Sequence, residues 1–108
     1  MAEVIGTGVG VIPFSRPVAR QSCDLMGAAA GRLVLADAGM GYDDVQRSDA
    51  GYVCADSAAG QRAICPPGMT DIPIINANTN CSTGSTALYF ARQAIGSGTI
   101  PGSAAHAL

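Results

Sequence analysis

A layered α/β fold is predicted for this 108-residue chain by the order in which its segments read: strand, helix, strand, loop, strand, helix. Composition agrees. Hydrophobic residues make up 48% and charged residues only 13%, roughly half the usual charged share, so most of the chain is expected to lie in an interior. The length fits one domain, and the apolar content excludes a disordered acidic or basic tail. All six cations are arginines, the net charge is −2, and no basic stretch occurs; no nucleic acid or membrane partner is expected. Apolar runs are far shorter than the ~18–20 residues of a membrane span, and the start lacks the pattern of a signal peptide. The chain is read as cytoplasmic.

Glu3 to Val11 is rich in Val and Ile and reads as a strand, although Gly6, Gly8 and Gly10 interrupt it. That Gly-x-Gly-x-Gly run is half of a dinucleotide fingerprint. Ile12-Pro13-Phe14 follows where a helix should begin, so the glycines are read as allowing close packing or turning. From Val18 to Ala38, apolar residues recur at helical spacing, with Gly39 placed to accept the left-handed conformation that ends a helix. Gly51-Tyr52-Val53-Cys54 reads as the second strand. Ala55 to Asp71, with Gly60, Pro66, Pro67 and Gly68, reads as a loop with room for a short helical piece. Ile72 to Ile75 reads as the third strand. A helix is predicted from near Ser82 until Gly96 and Gly98 end it. Arg92 is its only charge and small residues lie on several sides, so it is expected to be buried.

Chemistry is concentrated before that helix. Cys81 follows Asn76-Ala77-Asn78-Thr79-Asn80, which holds every asparagine of the chain, and precedes Ser82-Thr83-Gly84-Ser85-Thr86. A cysteine at a strand-to-helix junction meets amides without intrahelical partners and the positive end of the helix dipole. Both favour the thiolate, which is the nucleophile of acyl transfer. The asparagines are suited to capping the helix, ordering a turn or fixing water near the thiol. Cys23, Cys54 and Cys65 have no such setting and are read as small buried residues. No Cys or His pair has the spacing of a metal site, so no metal is expected. His106 lies alone on a Gly/Ala-rich tail and is read as incidental.

Several separated motifs occur in order: Gly51-Tyr52-Val53, Asp56-Ser57, Gly60-Gln61-Arg62-Ala63, Ile72-Pro73-Ile74-Ile75-Asn76 and Asn80-Cys81-Ser82-Thr83-Gly84-Ser85-Thr86-Ala87-Leu88. Together they resemble the N-terminal part of thiolases, nearest to the sterol carrier protein X and lipid-transfer-protein branch. The resemblance covers residues 4 to 98. It implies an N-terminal fragment of a five-layer αβαβα architecture, whose whole form has two similar halves and assembles as a homo-oligomer. It further implies that Cys81 takes an acyl group from a 3-ketoacyl-CoA as a thioester, with the coenzyme A thioester as substrate and no bound cofactor. The reverse direction is a Claisen condensation.

The sequence departs from that pattern in its tail. Residues 1–98 are read as a partial thiolase domain and 99–108 as a divergent tail, the change at Gly98 suggesting a truncated reading frame or fragment. The family histidine, the second catalytic cysteine and most of the coenzyme A site would lie outside this chain, and His106 matches none of them. The isolated chain is therefore expected to be inactive and poorly stable unless a complementing subunit supplies the rest. Two alternatives stand beside the acyltransferase: a retro-aldolase subunit acting on steroid side chains, and a non-catalytic interaction module.

Overall fold

The computed structural model describes residues 3–16, 22–55, 57–64, 71–98 and, for the backbone, 106–107. Helix α1 runs Cys23–Ala38, strand β1 Ser48–Gly51, helix α2 Ala59–Ile64, strand β2 Ile74–Ala77, helix α3 Thr83–Gly96 and strand β3 His106–Ala107. Single 3₁₀ turns at Tyr42–Asp44 and Asn80–Ser82 precede β1 and α3. The strands form one parallel sheet in the order β2-β1-β3, with Ser48 level with Ile74 and His106, and Gly51 level with Ala77. Parallel strands joined through helices give the layered α/β class that the segment order predicts.

β1 is the centre of the molecule, and its sequence, Ser-Asp-Ala-Gly, has little intrinsic strand preference. Position overrides composition: Ser48, Asp49 and Ala50 are all buried, because strands lie on both sides and helices cover the sheet. The fully buried Asp49 carboxylate is held by Arg47, whose Nε and Nη2 reach it at 3.1–3.2 Å and 2.8 Å. That fork is how a charge is kept in an interior without a large desolvation loss. The second strand thus begins before Gly51–Cys54, its expected position, and overlaps it only at Gly51. The third is Ile74–Ala77 rather than Ile72–Ile75, since Pro73 has no N–H to donate and only its carbonyl is used, accepting from Ser48 N–H at 3.0 Å.

The expected strand at Glu3–Val11 does not form. Residues 3–16 run without regular structure across α1. Gly8 and Gly10 explain the course: a β-carbon at Gly8 would stand 2.7 Å from Ala38 N, and one at Gly10 2.6 Å from Val34 N. Bare backbone therefore lies directly on the helix, and the Val9 N–H donates to the Asp37 carboxylate at 2.8 Å. α1 starts at Cys23 and ends as expected, with Gly39 at φ 69 and its N–H and that of Met40 bonded to Ala36 and Leu35 carbonyls. The earlier part of the expected helix, Val18 to Gln21, lies outside the described residues, as do Cys65 and most of the tail. Within that tail, His106–Ala107 contributes β3 beside β1.

α3 is not buried all round. Thr83, Ala87, Ala91 and Ala94 are buried toward the sheet, while Leu88 and Tyr89 stand 64% and 56% exposed. Small residues do bring the helix close to β1, as expected, but among the described residues only one layer packs on it.

Candidate functional site

β2 delivers the chain to a turn that α3 leaves. Thr83, first residue of α3, is buried and its hydroxyl donates to the Ala77 carbonyl at 2.9 Å, fastening the helix start to the strand end. Asn78 works across the same edge. Its Nδ2 donates to the Val53 carbonyl at 3.1 Å and its Oδ1 accepts the Asn80 N–H at 3.3 Å. Asn80 has φ 54, a left-handed conformation that asparagine tolerates better than other residues with a β-carbon. That reversal turns the chain into the 3₁₀ turn holding Cys81, which is an exposed free thiol.

Hydroxyls surround the turn. Ser82 Oγ donates to the Thr79 carbonyl at 2.9 Å, Thr79 Oγ1 and Thr86 Oγ1 are 2.8 Å apart, and Thr86 Oγ1 donates to the Ser82 carbonyl at 3.0 Å. The signal for this cluster lies in the sequence, since Thr79, Ser82, Thr83 and Thr86 recur at one helical face spacing. It escapes a reading that treats those residues only as small.

The asparagines divide. Asn76, read as a neighbour of the thiol, turns the other way: its Oδ1 accepts the Gly60 N–H and its Nδ2 donates to Gln61 Oε1, each at 2.7 Å. It anchors α2 to β2. Asn78 and Asn80 alone shape the cysteine turn. Cys23 and Cys54 are exposed free thiols rather than buried residues, Cys23 because it opens α1 and Cys54 because β1 has already ended. His106 lies in β3, paired through its backbone with Ser48. No group of three His, Cys, Asp or Glu side chains that would hold a metal occurs among the described residues. Among those residues, no helix is long and apolar enough to cross a membrane.

A groove of about 840 Å³ opens beside this site, between the 8–15 segment and α1. Val9, Val11, Phe14, Met26, Val34 and Leu88 are among its lining residues, and Cys81 is not. Gly51 touches both regions. It lines the groove, and a β-carbon there would overlap the Thr83 carbonyl, so the end of β1 lies directly against the first turn of α3.

No family model matches the chain. Curated proteins do. Human "Sterol carrier protein 2" is 50% identical over 101 residues, covering 91% of this chain and 18% of that protein. The bovine protein of the same name is 48% identical over 98 residues. "Non-specific lipid-transfer protein-like 2" of Caenorhabditis elegans is 38% identical over 98 residues, 89% of this chain and 24% of that protein. The chain thus spans about a fifth of the length of the relatives it matches. A solved priming β-ketosynthase of the R1128 polyketide pathway superposes with a TM-score of 0.60 over 78% of this chain and 25% of its own, at 22% identity. Sequence and architecture agree: over nine-tenths of its length the chain is similar to sterol carrier protein 2, and its α/β core has the architecture of part of the thiolase-like fold.

Proposed function

We propose that this chain is the nucleophile-bearing segment of a thiolase-type acyltransferase, with Cys81 as the acyl acceptor. The observation that carries the reading is the exposed Cys81 thiol on a strand–turn–helix junction fixed by Asn78, Asn80 and Thr83. In this reading the Cys81 thiolate attacks the C3 carbonyl of a 3-ketoacyl-CoA. The C2–C3 bond breaks, its electron pair stays on C2, and a proton there completes acetyl-CoA. The thioester left on Cys81 passes to the sulfur of a second coenzyme A, and the thiolate is regenerated. Residues outside this chain would supply the proton transfers and most coenzyme A contacts, so the first half-reaction is the most that it performs by itself.

Incubation with acetoacetyl-CoA followed by peptide mass mapping tests the proposal. An acetyl group on the Cys81 peptide, absent in Cys81→Ala, is expected. An intact folded chain without the adduct would remove the catalytic reading of this chain by itself. It would leave a non-catalytic lipid-binding module, which the lack of charge among the described residues lining the groove and the lipid-transfer name of a relative favour.

A further inference from the structure

Thr79 stands two residues before Cys81 and bonds to residues beyond the thiol. Its N–H donates to Thr83 Oγ1 at 3.4 Å. Its carbonyl accepts the Ser82 N–H at 3.3 Å and the Ser82 hydroxyl at 2.9 Å. Its own Oγ1 lies 2.8 Å from Thr86 Oγ1 and 3.1 Å from Ser82 Oγ. Asn80 and Cys81 are thereby enclosed in a loop that Thr79 closes onto the first turn of α3.

The direction of the hydroxyl bonds follows from one hydrogen per hydroxyl. The Thr86 hydroxyl gives its hydrogen to the Ser82 carbonyl at 3.0 Å, so it accepts from Thr79. With the Thr79 hydrogen engaged there, Ser82 is the donor toward Thr79. The chain of bonds runs from Ser82 to Thr79 to Thr86 and ends on the Ser82 carbonyl, next to the thiol-bearing residue. Each of the three hydroxyls uses its hydrogen inside this ring. None has one left for the Cys81 sulfur, so their work is to hold the turn.

The turn needs holding. Asn80 lies at φ 54, and Thr79 before it at φ −124 and ψ 38, outside the regular helix and strand regions. Such backbone persists only where its surroundings over-determine it. On the strand side, Asn78 ties the chain to Val53. On the helix side, Thr83 ties α3 to Ala77, and the Thr79 ring ties the turn to α3.

We propose that Thr79 is the positioning residue of the Cys81 nucleophile. Its hydroxyl, bonded to Ser82 and Thr86, locks the left-handed turn at Asn80 onto α3 and so fixes the direction from which the thiol meets an acyl carbonyl. This role rests on the acyl-transfer reading of Cys81 and adds which residue orients the attack. It acts on the rate of attack and not on the hold of the donor.

The test follows Cys81 by peptide mass mapping with two reagents, acetoacetyl-CoA and iodoacetamide. Cys54 of the same chain serves as an exposed reference thiol. Thr79→Val keeps the shape of the side chain and removes its hydroxyl. Its maximal acylation rate is expected to fall about tenfold, while the half-saturating donor concentration stays within about twofold. Alkylation of Cys81 relative to Cys54 is expected to fall about threefold, as the thiol drifts from the positive start of α3. Thr79→Ser is expected to restore both within about twofold. Adding Thr86→Val to Thr79→Val should slow neither further by more than about twofold, because the two hydroxyls act as one unit. Ser85→Ala, at an exposed position outside the ring, is expected to keep the original rates.

Original rates in Thr79→Val, a loss that Thr79→Ser does not restore, or a loss confined to half-saturation would overturn the proposal while leaving acyl transfer at Cys81 intact. If the unaltered chain takes no acyl group, the acyl-transfer reading fails, and the alkylation ratios alone decide whether Thr79 positions the thiol. If Thr79→Val does not fold, Ser82→Ala replaces it, removing the donor to Thr79 at an exposed position. A loss of about threefold in both rates then upholds the proposal, and unchanged rates overturn it.

Discussion

Gly51 is where the smallest change has the largest expected effect. Its α-carbon lies against the Thr83 carbonyl, so any β-carbon must displace backbone on one side or the other. Gly51→Ala should cost about 1–3 kcal/mol, read as a lower urea midpoint, because both neighbours are fixed. β1 holds Gly51 level with Ala77, and the Thr83 hydroxyl ties α3 to that same Ala77. The same substitution should therefore also slow alkylation of Cys81 by iodoacetamide, two residues before Thr83. An unchanged midpoint would mean that α3 can step back from the sheet freely, and that the turn is not held as described.

Helix ends were legible in the sequence where a single residue type dictates them. Gly39 closes α1, and the Ser/Thr run before Ala87 opens α3 within one residue of the expected start. Strands were less legible, for identifiable reasons. The Val/Ile-rich Glu3–Val11 segment resembles a strand by composition, yet Gly8 and Gly10 fit it to the α1 backbone instead. Ser48–Gly51 has no strand-like composition, yet it occupies the centre of the sheet because Arg47 neutralises Asp49 there. That pairing is between side chains and is invisible to periodicity. The first turn of α1 offers a pH test of local structure. Asp24 is held below the usual carboxylate value, first by the Ser22 side chain, with burial opposing and the amides of Asp24 and Leu25 and the charge of Arg62 assisting. A lowered folded value means that Asp24 favours the folded chain above about pH 4, and that this contribution is lost as the pH falls through the lowered value. Ser22→Ala should move the Asp24 titration, followed by NMR, back up toward the ordinary value.

Taken as a whole, the chain places its proposed nucleophile by a sequence pattern that could be read directly and its groove by one that could not. Cys81 is marked by neighbours in sequence, whereas the groove joins residues 8–15, α1 and Leu88, which meet only after folding. The tail bears on the molecule in the same long-range way. Residues 99–108 were expected to diverge from the domain at 1–98, and β3 within them pairs with Ser48 and Asp49 of the central strand. Truncation after Gly98 should therefore lower unfolding stability by about 1–3 kcal/mol, since it strips one side of a buried strand of its hydrogen-bond partners. Hydrogen exchange should locate the loss at Ser48 and Asp49. A truncated chain with an unchanged urea midpoint would instead make 1–98 a self-sufficient unit.

The strand order has a consequence for synthesis. β1 is made before either of its neighbours: β2 follows a loop and a helix later, and β3 over half the chain's length later. A nascent chain released from the ribosome as far as Gly51 has the middle of its sheet and neither flank, with Asp49 still in water. The interior therefore closes from the centre outward and late, as parallel pairing between distant segments is slow to form. Protease protection should appear abruptly once His106 and Ala107 have left the exit tunnel, and not in steps as each helix emerges.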